Sequence, residues 1–116
     1  MRQWVAGVCA AVLIAGPLWA DDWASLSGTA ITDALTGRIL AYDDGSVQIF
    51  LLGGLTRYGV GWPNEGRWRV SGDQYCSVWP PSELWACYGV EIGEAGQAVR
   101  FTAGDGSVSL GRYRAE

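Results

Sequence analysis

The stretch that decides the fold reads Gly66-Arg67-Trp68-Arg69-Val70-Ser71-Gly72-Asp73-Gln74-Tyr75-Cys76-Ser77-Val78-Trp79-Pro80-Pro81-Ser82-Glu83-Leu84-Trp85-Ala86-Cys87-Tyr88-Gly89-Val90. At its start Trp68 and Val70 face one side and Arg67 and Arg69 the other. Period two with one apolar face indicates antiparallel sheet, solvated outside. Further on, Cys76 and Cys87 suit facing positions on adjacent strands. That register pairs Ser77 with Ala86, Val78 with Trp85, Trp79 with Leu84 and Pro80 with Glu83. Pro81-Ser82 is then the centre of a four-residue turn, and Pro fits the first central position of a type I turn. Facing residues of a non-hydrogen-bonded pair lie within disulfide reach. Closing so short a loop contributes about 2–3 kcal/mol in the chain-entropy model, a large share of a small domain's stability. The alternative is a redox or metal-ligating pair. Catalytic dithiols usually sit in C-x-x-C and structural zinc takes four ligands, whereas here ten residues intervene and the chain has no His.

Outward from this hairpin, glycine marks the turns: Asp44-Gly45, Gly53-Gly54, Gly72-Asp73, Gly93-Glu94-Ala95-Gly96 and Gly104-Asp105-Gly106. Gly beside Asp or Ser is turn chemistry. Between the marks, short alternating runs predict strands at about 38–43, 47–52, 55–60, 67–71, 74–79, 85–92, 98–103 and 107–113. Leu26 to Leu35 differs. Ile31 and Leu35 fall four apart, Ser27 is placed to cap and Gly37 to stop a short helix. Seven to eight short antiparallel strands joined by tight turns form a meander that closes, or half-closes, into an all-β barrel, because open edges invite aggregation. Strands of 5–7 residues favour a mostly packed interior. The tetrad Asp44-Gly45-Ser46-Val47 recurs as Asp105-Gly106-Ser107-Val108. It reads as one turn solution used twice, or as a duplicated hairpin or paired cation loops.

The chain has 116 residues. Met1-Arg2-Gln3, an apolar run from Trp4 to Ala15, Gly16-Pro17 and Ala20 before Asp21-Asp22 make residues 1–20 a secretory signal in layout, with an uncleaved anchor as the alternative. The apolar run is too short to span a bilayer. Residues 21–116 are then one domain, in the periplasm or secreted. Losing the leader removes Cys9 and leaves an even pair of cysteines, which favours a disulfide in an exported domain.

Composition excludes much chemistry. All 8 basic residues are Arg, and discounting Arg2 takes the net charge from −4 to −5. Without His, Ser-His-Asp and Cys-His systems cannot form. Without Lys, Schiff-base chemistry is absent. Nucleotide-cradling glycine motifs are missing. No cofactor and no metal site is expected, although Asp43-Asp44 and Asp21-Asp22 are conceivable calcium contacts without the spacing of a dedicated loop. Glu65, Glu83, Glu91, Glu94, Asp73 and Asp105 fall mostly in turns or on outward faces, so a carboxylate-only enzyme is not expected. The acidic balance opposes nucleic-acid binding.

Aromatic residues remain. Trp68 reads as core, with Tyr75, Tyr88 and Phe101 as core or as the lining of an interior cavity. Trp62-Pro63 and Trp79-Pro80-Pro81 abut loops, and Trp85 closes the same hairpin as Trp79 on the opposite face. These rings either plug the barrel ends or form a contact surface.

In Gly66-x-Trp68-x-Val70, Tyr75-Cys76-x-x-Trp79 and Cys87 the chain resembles small exported bacterial β domains of unknown function. Their signature is a G-x-W-x-V-x-G-x-x-Y-C-x-x-W hairpin followed by a second Cys. The resemblance implies no activity. More distantly, G-x-W before a strand is similar to the calycin signature. In lipocalins that motif opens the barrel, and an Arg from near the C-terminus packs over the Trp. Here Trp68 lies mid-domain, while Arg112 and Arg114 lie near the end. Size and layout also resemble small periplasmic inhibitor barrels.

Two functional expectations follow. The first is a non-enzymatic binding domain that meets a periplasmic protein partner through Trp62, Trp79, Pro80, Pro81 and Trp85. The second is a calycin-like binder of a small apolar ligand or glycan.

Overall fold

A computed structural model describes residues 22–115. The signal segment at 1–20 and Cys9 lie outside the described residues. The chain forms β1 (Ala24–Ser25), α1 (Thr29–Leu35), β2 (Ile39–Tyr42), β3 (Val47–Phe50), β4 (Leu55–Gly59), β5 (Asn64–Ser71), β6 (Gln74–Val78), β7 (Ala86–Gly93), β8 (Ala98–Thr102) and β9 (Val108–Arg114). Strands β2 to β9 pair each with the next, and β9 returns to β2 to close an eight-stranded antiparallel barrel. All eight strands read from the sequence are present. The addition is β1, two residues that pair with Ile92 and Glu91 of β7 where β6 no longer covers it.

Closure leaves two unlike ends. Loops 51–54, 72–73 and 94–97 surround one end, and α1 crosses it. Ile31 and Leu35 are fully buried there among Leu40, Phe50, Trp68, Val99 and Phe101. The Tyr113 hydroxyl donates to the Ala34 carbonyl and ties the last strand to the helix. Ser27 does not cap α1. Gly28 stands at the N-cap with φ 49°, and the helix start has no side-chain cap. The Ser27 carbonyl instead accepts from Ala30 N–H. The Trp68 indole donates to the Leu51 carbonyl at 3.0 Å, so Trp68 is a core residue of this end.

Loops 43–46, 60–63, 79–85 and 103–107 surround the opposite end. The disulfide lies on the barrel wall beside it: Cys76 and Cys87 face each other in register with Cα atoms 4.0 Å apart. Pairing continues only to Ser77–Ala86. The expected pairs Val78–Trp85, Trp79–Leu84 and Pro80–Glu83 do not form. The turn is centred on Pro80-Pro81, joined by a cis peptide, and Ser82 N–H closes it onto the Trp79 carbonyl. Two successive prolines offer no N–H to a ladder, and a cis proline at the third position is a type VI turn rather than type I.

Candidate functional site

The expected packed interior holds only at the helix end. Toward the opposite end the barrel opens into a cavity of about 490 Å³, lined by Tyr42, Gln48, Tyr58, Tyr75, Ser77, Trp79, Tyr88 and Phe101, with Asp43, Asp44 and the start of β9 at its rim. Alternation puts these side chains inside. Tyr42 follows Leu40 at the same parity, Tyr58 follows Thr56, and Tyr75 and Tyr88 face each other across β6 and β7.

Trp79 reaches the mouth because Gly66 lets it. The indole ring lies against Gly66 so closely that a Cβ there would stand 2.6 Å from Trp79 Cε3 and from the Val78 carbonyl oxygen. The indole N–H donates to Ser77 Oγ, and the ring meets Tyr58 edge to face at 5.9 Å. Trp79 therefore leaves the hairpin ladder to become part of the cavity wall. Trp85 takes the opposite face, although the ladder pairs on which that expectation rested do not form. It lies outside the barrel, 36% exposed, with the Arg69 guanidinium stacked 4.0 Å from its ring centroid.

The floor is polar and well connected. The Tyr42 hydroxyl donates to Gln48 Oε1, and Gln48 Nε2 donates to Thr56 Oγ1 and to the Tyr75 hydroxyl. Thr56 in turn donates to the Ile49 carbonyl. A buried amide must spend its donors and acceptor in this way to avoid a desolvation cost. Burial pushes the hydroxyls of Tyr42 and Tyr75 above the ordinary tyrosine value, so both stay neutral and keep their protons across the physiological range. Tyr75 accepts from Gln48, and the Ser77 side chain bonds the same hydroxyl. The hydroxyl is thus fixed at the cavity floor.

The rim is asymmetric. On the β4–β7 side lie Val60, Pro63, Pro80, Pro81 and Leu84, mostly exposed apolar groups. On the other side the repeated tetrads form two hairpin turns with the same bonds. Asp44 Oδ1 accepts from Ser46 N–H and Oγ–H, and Asp105 Oδ1 accepts from Ser107 N–H and Oγ–H. Gly45 and Gly106 occupy matching positions at φ 90° and 91°. The echo is one turn solution used twice. Serine donors hold both carboxyls below the ordinary Asp value.

The chain matches no family model, no curated protein and no solved structure.

Of the sequence-derived residues, Tyr75, Tyr88 and Phe101 line the cavity and Trp68 does not. The contact set divides. Trp79 is in the wall. Pro80 and Pro81 form the adjoining lip, Trp85 is on the outer face, and Trp62 sits in loop 60–63 at the same end without lining the cavity. Among the described residues no arginine stacks on Trp68: Arg112 binds Glu94 and Asp43, and the cation–ring stacks fall on Tyr113, Trp85 and Trp23. Sequence reasoning missed Tyr42, Gln48, Thr56 and Tyr58. Their signal was available as inward parity at the ends of β2, β3 and β4. Among the described residues no group of three or more His, Cys, Asp or Glu is placed to hold a metal, and no helix is long and apolar enough to cross a membrane.

Proposed function

We propose that the protein is an exported binding domain that holds a small organic molecule in the barrel mouth. The observation that carries this reading is the cavity itself. It is about 490 Å³, within the range of roughly 300–1,000 Å³ typical of ligand sites. Aromatic walls and a few convergent polar groups are the composition such sites use. The disulfide supports an oxidising compartment, periplasmic or extracellular. The lack of His and Lys in the sequence supports binding rather than catalysis.

Two tryptophans provide the test, because each reports a different place. In ¹⁵N–¹H spectra, a panel of sugars, aromatic acids, alcohols and amines at millimolar concentration is titrated in. A ligand of the mouth shifts the Trp79 indole signal and leaves that of Trp68, bonded at the closed end, in place. A panel that leaves Trp79 unmoved overturns the reading.

A protein partner at the lip is the second reading. It is supported by Leu84, 83% exposed beside Trp85, an arrangement that suits an interface anchor. Under that reading Trp85→Ala abolishes partner capture and Tyr75→Phe does not.

A further inference from the structure

We infer that the molecule held in the mouth is an organic cation, an amine or quaternary ammonium with apolar substituents. This inference rests on the reading of the mouth as a ligand site and assigns the class of ligand.

Six aromatic rings face the cavity, and none of its lining residues is basic. The rings run in contact around the wall. Tyr42 meets Tyr58 at 6.0 Å and Tyr58 meets Trp79 at 5.9 Å, while Tyr75 meets Phe101 at 5.1 Å and Tyr88 at 5.9 Å. Aromatic faces carry negative potential, and a cage of them is the general solution for alkylammonium groups.

The protein's own stacked cations lie elsewhere. Arg38, Arg69 and Arg100 each stack on a ring, at 3.7, 4.0 and 4.3 Å from the centroids of Tyr113, Trp85 and Trp23. None of these rings lines the mouth. Among the described residues, the cavity rings have no cation from the protein over their faces. Tyr113, Trp85 and Trp23 are supplied with a cation, and the cavity rings are not.

The rim carries negative charge at Asp43 and Asp44. Asp43 is partly countered by Arg112 at 3.3 Å. Asp44 has no ion pair among the described residues, and both of its hydrogen bonds fall on Oδ1. One carboxylate therefore stands at the cavity edge without a countercharge. A carboxylate or phosphate ligand meets repulsion there and no donor cation within. A neutral apolar ligand gains nothing from either feature.

The test uses three water-soluble probes of one shape: choline, its uncharged carbon isostere neohexanol, and the anion of tert-butylacetic acid. Trp79 and Trp68 indole shifts on the whole folded domain provide the readout. Choline is expected to move the Trp79 signal with affinity roughly tenfold or more above neohexanol, the preference that desolvated cation–ring contacts supply. The anion is expected not to bind. Asp44→Asn keeps an oxygen for the Ser46 bonds and should weaken choline several-fold. Asp105→Asn makes the same change in the sister turn, which does not line the cavity, and should leave choline within about twofold. Neohexanol binding as tightly as choline overturns the cation assignment while leaving the cavity reading intact. Failure of choline, with other members of the wider panel moving Trp79, does the same. Failure of every probe and of the whole panel overturns both.

Discussion

The two ends of this barrel are built on opposite terms. The helix end is filled: Ile31 and Leu35 of α1 enter between the strands, and Phe50 packs against Trp68 and Tyr75 at 5.6 Å in edge-to-face contact. Apolar burial there is worth about 1.5–3 kcal/mol for each large side chain. The mouth is hollow and lacks that source of stability. It is held instead by a disulfide on its outer wall, by two Asx-type turns and by a chain of buried hydrogen bonds through Gln48. A small domain can keep a cavity when its other end supplies the core and covalent or polar links hold the open one.

This contrast can be broken from either side. The largest effect should come from the filled end. Leu35→Ala deletes a fully buried side chain and is expected to cost about 2–5 kcal/mol, measured as a fall in the denaturant midpoint, with no change in ligand preference in the protein that remains folded. Next comes the staple. Replacing Cys76 and Cys87 together by Ser should cost about 2–3 kcal/mol. Because the disulfide flanks the mouth, hydrogen exchange should speed up in β6 and β7 before α1. Equal acceleration in α1 would show that the two ends are not separately supported.

Gly66→Ala touches the mouth alone. The added methyl meets both the Trp79 ring and the Val78 carbonyl. Backbone does not yield easily, so about 1–3 kcal/mol is lost and Trp79 swings out, giving red-shifted, more quenchable fluorescence and weaker ligand binding. Unchanged Trp79 emission would refute the role given to this glycine.

The smallest effect is a pH dependence. Tyr42 and Tyr75 titrate above the ordinary tyrosine value when folded, chiefly through burial. The unfolded chain therefore releases these protons first as pH rises. Their contribution is complete below pH 10 and declines above it, by roughly 1.4 kcal/mol per pH unit for each tyrosine until the folded value is reached. Tyr75→Phe should flatten this alkaline decline, leaving the part due to Tyr42 and to Tyr113, which burial also raises. An unaltered slope would mean that the hydroxyl is not shielded as described.

Most of the fold was legible because it is local. Glycine-marked turns and period-two runs located all eight barrel strands, and the Cys76–Cys87 register followed from counting residues between two facing positions. The parts that escaped are non-local. Strand β1 has only two residues and no pattern, and its place is set by the length of β7 that β6 leaves uncovered. The path of Trp79 depends on Gly66, two strand positions from Trp68, and on prolines that end the ladder earlier than residue counting suggests. Alternation showed that Tyr75, Tyr88 and Phe101 point inward. It did not show which end α1 would fill, so Trp68 and Tyr75 looked equivalent in sequence yet belong to core and cavity floor respectively. Tyr42 and Tyr58 join that site only when β9 meets β2 and closes the barrel.

The direction of the chain at its two limits gives this architecture a polarity. Trp23 rests on Gly93 at the filled end, and Arg114 pairs with Ile39 at the same end. Both limits of the described domain therefore lie at the plugged base, away from the opening. A tether attached at either one leaves the mouth unobstructed.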